Sequence, residues 1–124
     1  MLNRLFNGAS LSASEAMLIF ASNRQKVIAG NIANADTAGY RTQDVSEADF
    51  KRQLDNLFNS KGKPVVIRSG PAADAGVLKP NGNNVDLEIE MAKMARNTAL
   101  HSTAAAILAQ QFTLLREAIA GRVL

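Results

Sequence analysis

The chain has 124 residues, a net charge of +3 and no cysteine, which allows one domain with a modest core and excludes disulfides and thiolate metal sites. Aromatic residues are scarce and tryptophan is absent, so small and aliphatic side chains must fill the interior. No basic run is longer than Lys51-Arg52, which argues against a nucleic-acid surface. We expect one domain over residues 1–124, divided into an N-terminal helix region (1–35), an irregular middle segment (36–84) and a C-terminal helix (85–124).

The first predicted helix begins near Ser12 and ends near Ala33. Ser12 and Glu15 have the spacing of a capping box, in which two side chains bind free backbone N–H groups of the first turn. The polar residues between Leu5 and Phe20 leave no continuous apolar core, so no cleavable secretory signal is expected. Heptad-like spacing predicts a face that packs on another helix. The residues assigned to this seam are Leu11, Leu18, Ile28 and Ile32.

The middle of the chain carries turn and breaker signals. Residues 31–40 predict a helix stop and a chain reversal, because Asn and Asp bind nearby backbone groups and Gly39 permits a tight turn. Beyond them, apolar residues at helical spacing predict a short helix over Glu47–Phe58. A short strand is predicted over Pro64–Arg68 and a loop over Gly70–Asn84.

The last third of the chain is predicted to be one long helix. Mainly apolar residues from Leu87 to Ile119 follow one another at steps of four and three, and no Gly or Pro occurs there. A helix of this length needs a partner along it, and the first helix is the obvious one. The residues assigned to this side of the seam are Leu108, Phe112, Leu115 and Ile119. The expected fold is mainly α, with long terminal helices paired as an antiparallel coiled-coil-like hairpin and an irregular middle segment.

The same helix has no Asp, Glu, Lys or Arg from Asn97 to Leu115. A surface helix ordinarily keeps a charged outer face, and the polar residues scattered through this stretch exclude a membrane span. Burial by protein on more than one side is therefore expected. A second apolar stripe, about 130° around the helix from the first, is the candidate interface with neighbouring subunits. Its residues are Leu100, Ile107 and Leu114.

No catalytic, metal or cofactor site is predicted. His101 is the only histidine and has no convergent ligands at helical spacing, so it is interpreted as a polar seam residue that fixes register rather than as a metal ligand. No arrangement of nucleophile, acid and base is apparent. Three classes remain, in falling order: a structural assembly subunit, a non-catalytic helical adaptor and an enzyme. Filament formation would separate the first from the second.

Two blocks of sequence carry a family resemblance. Residues 24–40, Arg-Gln-Lys-Val-Ile-Ala-Gly-Asn-Ile-Ala-Asn-Ala-Asp-Thr-Ala-Gly-Tyr, resemble the signature of bacterial flagellar rod and hook proteins. Residues 81–97, Asn-Gly-Asn-Asn-Val-Asp-Leu-Glu-Ile-Glu-Met-Ala-Lys-Met-Ala-Arg-Asn, resemble the corresponding block of the proximal rod proteins. The family usually has proline where this chain has Ala38. The motif residues are Asn31, Asn34, Asp36, Gly39 and Tyr40 in the first block and Asn84, Val85, Asp86 and Leu87 in the second.

The resemblance implies a structural subunit of the flagellar basal-body rod, whose terminal helices assemble the proximal rod that transmits motor torque to hook and filament. It implies self-association, contacts with other flagellar rod proteins and with the inner-membrane ring or rod adaptor, and export by the flagellar type III apparatus without a cleaved signal peptide. No nucleic acid and no small-molecule substrate are expected. Asn31 and Asn34 either contact neighbouring subunits or end the helix, and the sequence leaves both interpretations open.

Overall fold

The structure, a computed structural model, describes residues 8–59 and 65–123. These residues form mainly helix, with one small two-stranded sheet between the long helices, so the predicted fold class is confirmed. None of the helices in the described ranges is both long and apolar enough to cross a membrane. The elements in chain order are α1 (Gly8–Ala33), β1 (Gln43–Val45), α2 (Glu47–Phe58), β2 (Ser69–Pro71) and α3 (Leu87–Val123).

Helix α1 begins one turn before the predicted capping box. It starts at Gly8 and places Ser12 inside the helix rather than at its N-cap, so the predicted start is wrong. Ala9 and Leu11 have high helix propensity, which favours extension of the helix toward the N-terminus.

The other two helices begin at local caps. Ser46 accepts a hydrogen bond from the Asp49 N–H (3.2 Å) at the start of α2. Asp86 Oδ1 accepts from the N–H groups of Glu88 (3.0 Å) and Ile89 (3.3 Å) at the start of α3. Because a cap acts within one turn, both starts lie at or next to their predicted positions.

The strand predicted over Pro64–Arg68 is wrong. The described part of that segment, residues 65–68, is irregular, and the strand lies at Ser69–Pro71, antiparallel to β1. The Gln53 side chain occupies the backbone of Val66 on both sides: Val66 N donates to Gln53 Oε1 (2.7 Å) and Gln53 Nε2 donates to Val66 O (2.8 Å). A side chain thus supplies the bonds that a neighbouring strand would have made.

Helices α1 and α3 run antiparallel. Asn97 Nδ2 donates to Ala21 O (2.8 Å), and further toward the start of α3, Asn31 Nδ2 donates to Glu90 Oε2 (2.8 Å). This register places Gln111 level with the first turn of α1. Helix α3 therefore continues for about three turns beyond the described start of its partner.

Helix α1 is the central element, since it contacts α3, α2 and β1. The buried cluster of the core comprises Ala16, Phe20, Val45 and Phe50. The rings of Phe20 and Phe50 stack with centroids 4.3 Å apart and an angle of 17° between their planes, which fixes α2 against α1. Leu100 of α3 packs against the same cluster.

The buried line of α3 lies between the two apolar stripes predicted from sequence. Lys93, Asn97 and Ala104 are buried, whereas Phe112 is 49% and Ile119 57% exposed. Phe112 and Ile119 therefore do not lie in the seam between the helices of one chain, and their assignment to it is wrong. At about 100° per residue, the stripes flank the buried line, which neither of them follows.

The remaining stripe residues differ in burial. Ile28 is completely buried. Leu18, Ile32, Leu108 and Leu115 are half-buried, and the side chain of Leu11 lies outside the described residues. Leu100 packs on the core of its own chain, so its assignment to a subunit interface is wrong. Leu114 is half-buried, and Ile107 is 42% exposed.

We expect Phe20→Ala to lower the free energy of unfolding by about 3–5 kcal/mol, because the ring is buried and stacked on Phe50. Phe112→Ala removes the same ring from a half-exposed position and should cost far less. Urea unfolding of both monomeric variants, followed by circular dichroism, measures the difference. Equal losses for the two variants would contradict the observed packing.

Candidate functional site: the polar corner and the exposed helix surface

The two motif blocks bind each other and form one corner of the molecule. Asn83 is completely buried, and its Nδ2 donates to Asn34 O and Thr37 O, both at 2.9 Å. Thr42 N donates to Asn84 Oδ1 (2.7 Å). The turn that ends α1 is thereby joined to the segment that leads into α3.

Two glycines make this corner possible. Gly39 and Gly82 have φ angles of +75° and +82°, which other residues adopt only with strain. A Cβ on Gly82 would lie 3.3 Å from Gly39 Cα, so the two turns touch backbone to backbone. The Gly39 N–H donates to Asn81 O at 2.9 Å and closes the contact.

Asn31 is the central polar side chain of the corner. It is completely buried, and its Nδ2 donates to Gln43 O (2.7 Å) and Glu90 Oε2 (2.8 Å). Its Oδ1 accepts from Tyr40 Oη (2.8 Å) and Gln43 N (3.1 Å). These four bonds use every donor and acceptor of the amide and connect α1, β1 and α3 through one side chain.

A buried cluster of charges lies next to Asn31. Arg24 binds Asp44 through two hydrogen bonds, at 3.1 and 3.0 Å. The Lys93 Nζ lies 3.3 Å from Asp44 and from Glu90, and 2.6 Å from Asp74. Buried charges are tolerated because each has a partner of opposite sign, and these pairs tie β1 and the loop after β2 to the two long helices.

The neighbours of these groups shift their titration. Burial alone would raise the pKa of Asp44, but the Arg24 hydrogen bond, the Val45 N–H and the charges of Arg24 and Lys93 lower it below its ordinary value. Burial alone would lower the pKa of Lys93, but the bond to Asp74 and the charges of Asp44 and Glu90 raise it. Both groups are therefore held in their charged forms in the folded chain.

The motif residues differ in what they present to the outside. Asn31 and Val85 are buried and Asn34, Tyr40, Asn84 and Asp86 are half-buried, whereas Asp36, Gly39 and Leu87 are exposed. Asn34 Nδ2 donates to Gly30 O at 2.8 Å, one turn back in α1. The hydrogen bonds of Asn31 and Asn34 thus lie within the chain, and of the two interpretations left open by the sequence, the helix-ending one has contacts to support it.

The polar residues that the sequence analysis missed are Asn83, Glu90, Lys93 and Asn97, all of them buried. Glu90 and Lys93 look like ordinary surface charges, because nothing local marks them as buried. One signal was present: Asn97 begins the stretch without charges, and its Nδ2 donates across the helix pair to Ala21 O and Gln25 Oε1.

The exposed part of α3 is the other candidate site. From Ser102 to Thr113 its outward side chains are alanine, serine, threonine and glutamine, with Ile107 and Phe112 also exposed. His101 borders a shallow groove of about 420 Å³ between α1 and α3, next to Gln25 and Thr98. Among the described residues no group of three or more His, Cys, Asp or Glu side chains could hold a metal ion. This surface offers packing area rather than reactive groups.

We expect Asn31→Ala to destabilise the chain by several kcal/mol, because removal of the amide leaves Glu90 and the backbone of Gln43 buried without partners, at about 1–3 kcal/mol each. The exposed Asn56→Ala serves as the matched control. Thermal unfolding compares the two variants. An Asn31→Ala chain as stable as the control would show that the corner does not depend on this amide.

The Asp44 pairs predict a dependence of stability on pH. Because the pKa of Asp44 is lower in the folded chain than in the unfolded one, its contribution is complete above about pH 4 and is lost as pH falls through the folded pKa. The melting temperature of Asp44→Asn should therefore lie below that of the parent at pH 7 and approach it near pH 2. The exposed Asp55→Asn is the control, and a difference that does not narrow in acid would contradict the assignment.

Comparison with known proteins extends these observations. The family model described as "Flagella basal body rod protein" matches residues 12–41, which comprise most of α1 and the turn of the corner. The chain is 31% identical to the flagellar basal body rod protein FlgB of Borrelia hermsii, over 83% of this chain and 90% of that protein. It is 28% identical to the FlgB of Bacillus subtilis, over 94% and 97% of the two chains.

The FlgB of Salmonella typhimurium is 30% identical to this chain over 90% of this chain and 91% of its own length. The alignment therefore includes both long helices and the segment between them, rather than the motif alone. The resemblance inferred from the two sequence blocks is confirmed, and the family is structural rather than enzymatic. The chain belongs to the FlgB family of flagellar basal body rod proteins.

Proposed function

We propose that this chain is a subunit of the proximal part of the rod, that it assembles with further copies and with other rod proteins through its terminal helices, and that the rod so built transmits motor torque to hook and filament. Membership of a rod protein family supports the location in the flagellar basal body. The exposed surface of α3 supports assembly through the helices.

The observation that carries the proposal is the uncharged outer surface of α3. In the single chain, much of the helix between Asn97 and Leu115 faces outward, yet no charged residue occurs there. Ile107 and Phe112 are exposed on it. An ordinary solvent-facing helix carries charges on that side, and exposed apolar surface of this extent marks a contact with another protein.

The polar corner supports the mechanical part of the proposal. A subunit that transmits torque must resist relative movement of its two long helices. Asn31, Asn83 and Asn97 each bind across from one segment to another through buried hydrogen bonds. Such bonds would break if either helix slid along the other, so they make the pair stiff along its axis.

The family also suggests a set of partners and a route of export. We propose that the chain contacts the inner-membrane ring or the rod adaptor as well as other rod proteins. We also propose export by the flagellar type III apparatus without cleavage of a signal peptide. The interrupted apolar sequence between Leu5 and Phe20 supports the second point.

We expect Ile107→Glu to abolish rod assembly while leaving the monomer folded. The side chain is 42% exposed in the single chain, so a carboxylate there is solvated, but it would be buried without a partner once a neighbour packs on it. The measurements are thermal unfolding of the monomer, co-assembly with purified rod proteins, and motility of cells that carry the variant as their only copy.

Phe58→Glu is the matched control, because Phe58 is 59% exposed on α2 and lies outside the terminal helices. Cells with Phe58→Glu should swim. If Ile107→Glu cells build rods and swim as the control does, the exposed surface of α3 is not an assembly surface. A parent chain that never co-assembles and stays monomeric or dimeric would favour a helical adaptor instead.

A further inference from the structure

An exposed apolar patch lies at the corner end of the molecule. We call its four residues, Val77, Leu78, Leu87 and Met91, the tip patch. Their side chains are 90%, 53%, 46% and 64% exposed. Val77, Leu78 and Leu87 line a concave surface of about 630 Å³, and Met91 lies one turn beyond Leu87 on the same face of α3. Clustered apolar side chains at this level of exposure indicate a contact surface.

The loop that presents Val77 and Leu78 is held in place on both sides. Gly76 N donates to Asn84 O (2.9 Å), and Lys79 N donates to Asn83 O (2.8 Å). A Cβ on Gly76 would lie 2.9 Å from Asp86 Cβ, so the loop lies directly on the start of α3. Since the backbone is fixed, the two side chains are held outward rather than folded onto the core, which lowers the entropic cost of binding a partner.

A second exposed row lies at the opposite end of α3, which we call the tail row: Phe112, Arg116 and Ile119. Steps of four and three place the three residues on one face of the helix. Phe112 is 49% and Ile119 57% exposed, and Arg116 is exposed between them. The row lies on the part of α3 that continues beyond the described start of α1.

The two surfaces complement each other. Both are apolar, and the charge in the tail row is the cation Arg116, while the exposed acid Glu88 borders the tip patch between Leu87 and Met91. Leu87 and Phe112 lie 25 residues apart along one continuous helix, which separates them by roughly 37 Å. The tip patch and tail row of one molecule therefore cannot meet each other.

We propose that the tip patch of one copy binds the tail row of a second copy, with Glu88 paired to Arg116. Such a contact joins two different surfaces, so it leaves a free tip patch at one end and a free tail row at the other. Contacts of this heterologous kind continue from copy to copy instead of closing into a dimer. The inference rests on the proposed function, for which it names the longitudinal contact between subunits.

The test uses two variants that each block one end. Leu78→Asp places a second acid beside Glu88 in the tip patch, and Ile119→Asp places an acid in the tail row. Sedimentation velocity at increasing concentration should show species larger than a dimer for the parent and only monomer for each variant. An equimolar mixture of the two variants should form heterodimers and nothing larger, because one intact tip patch then meets one intact tail row.

Val66→Asp is the control, since Val66 is 51% exposed and lies outside both surfaces; it should associate as the parent does. Because the chain has no cysteine, Leu78→Cys mixed with Ile119→Cys should give a disulfide-linked heterodimer in air, with little homodimer from either variant alone. A parent that stays monomeric, a mixture that stays monomeric, or association of Leu78→Asp alone would each overturn the proposal.

Motility separates this inference from the proposed function. If Leu78→Asp and Ile119→Asp cells swim whereas Ile107→Glu cells do not, the longitudinal contact is wrong and assembly through α3 stands. If the Ile107→Glu cells also swim, assembly through α3 fails with it. Loss of motility in the Leu78→Asp and Ile119→Asp cells, with normal motility in Val66→Asp cells, is the result expected.

Discussion

The register of the two long helices is the constraint on which the rest of the structure depends. Small and apolar side chains on their own would permit the helices to slide by one turn at little cost. The buried polar groups do not, because after such a shift Asn31, Glu90 and Asn97 would lose the partners that satisfy them. Each unsatisfied buried group costs about 1–3 kcal/mol. Buried polar residues at helix contacts are known to specify register in this way.

Some of the fold could be predicted because its signals are local. The bounds of α2 and the end of α1 follow from turn residues and helical periodicity within a few positions. The buried face of α3 could not be predicted in the same way, since without charges between Asn97 and Leu115 no side of the helix is marked as the wet one. Strand β2 depends on pairing with β1, some 26 residues earlier, and its position is set by Gln53 binding Val66. Such long-range contacts leave no local pattern.

The residues by which the family is recognised and the residues that face other molecules are largely different. Asn31, Asn83 and Val85 are buried in the corner, and their hydrogen bonds and contacts are spent within the chain. The motif therefore specifies a shape, a stiff antiparallel hairpin with a closed end. The exposed positions on α3 and in the loop before it are free to differ, and there a subunit can be matched to its neighbours.

The pairing of the first helix with the last has a consequence for folding kinetics. The bond from Asn97 to Ala21 joins positions 76 residues apart, and contacts of such long separation form slowly. During synthesis at about 5–20 residues per second, α1 emerges several seconds before α3 is complete. Throughout that interval Phe20 and Ile28 lack the surfaces that bury them, so the hairpin cannot form. A fold that is closed last by its C-terminal helix remains threadable until the whole chain has been made, which suits a protein that must travel before it assembles.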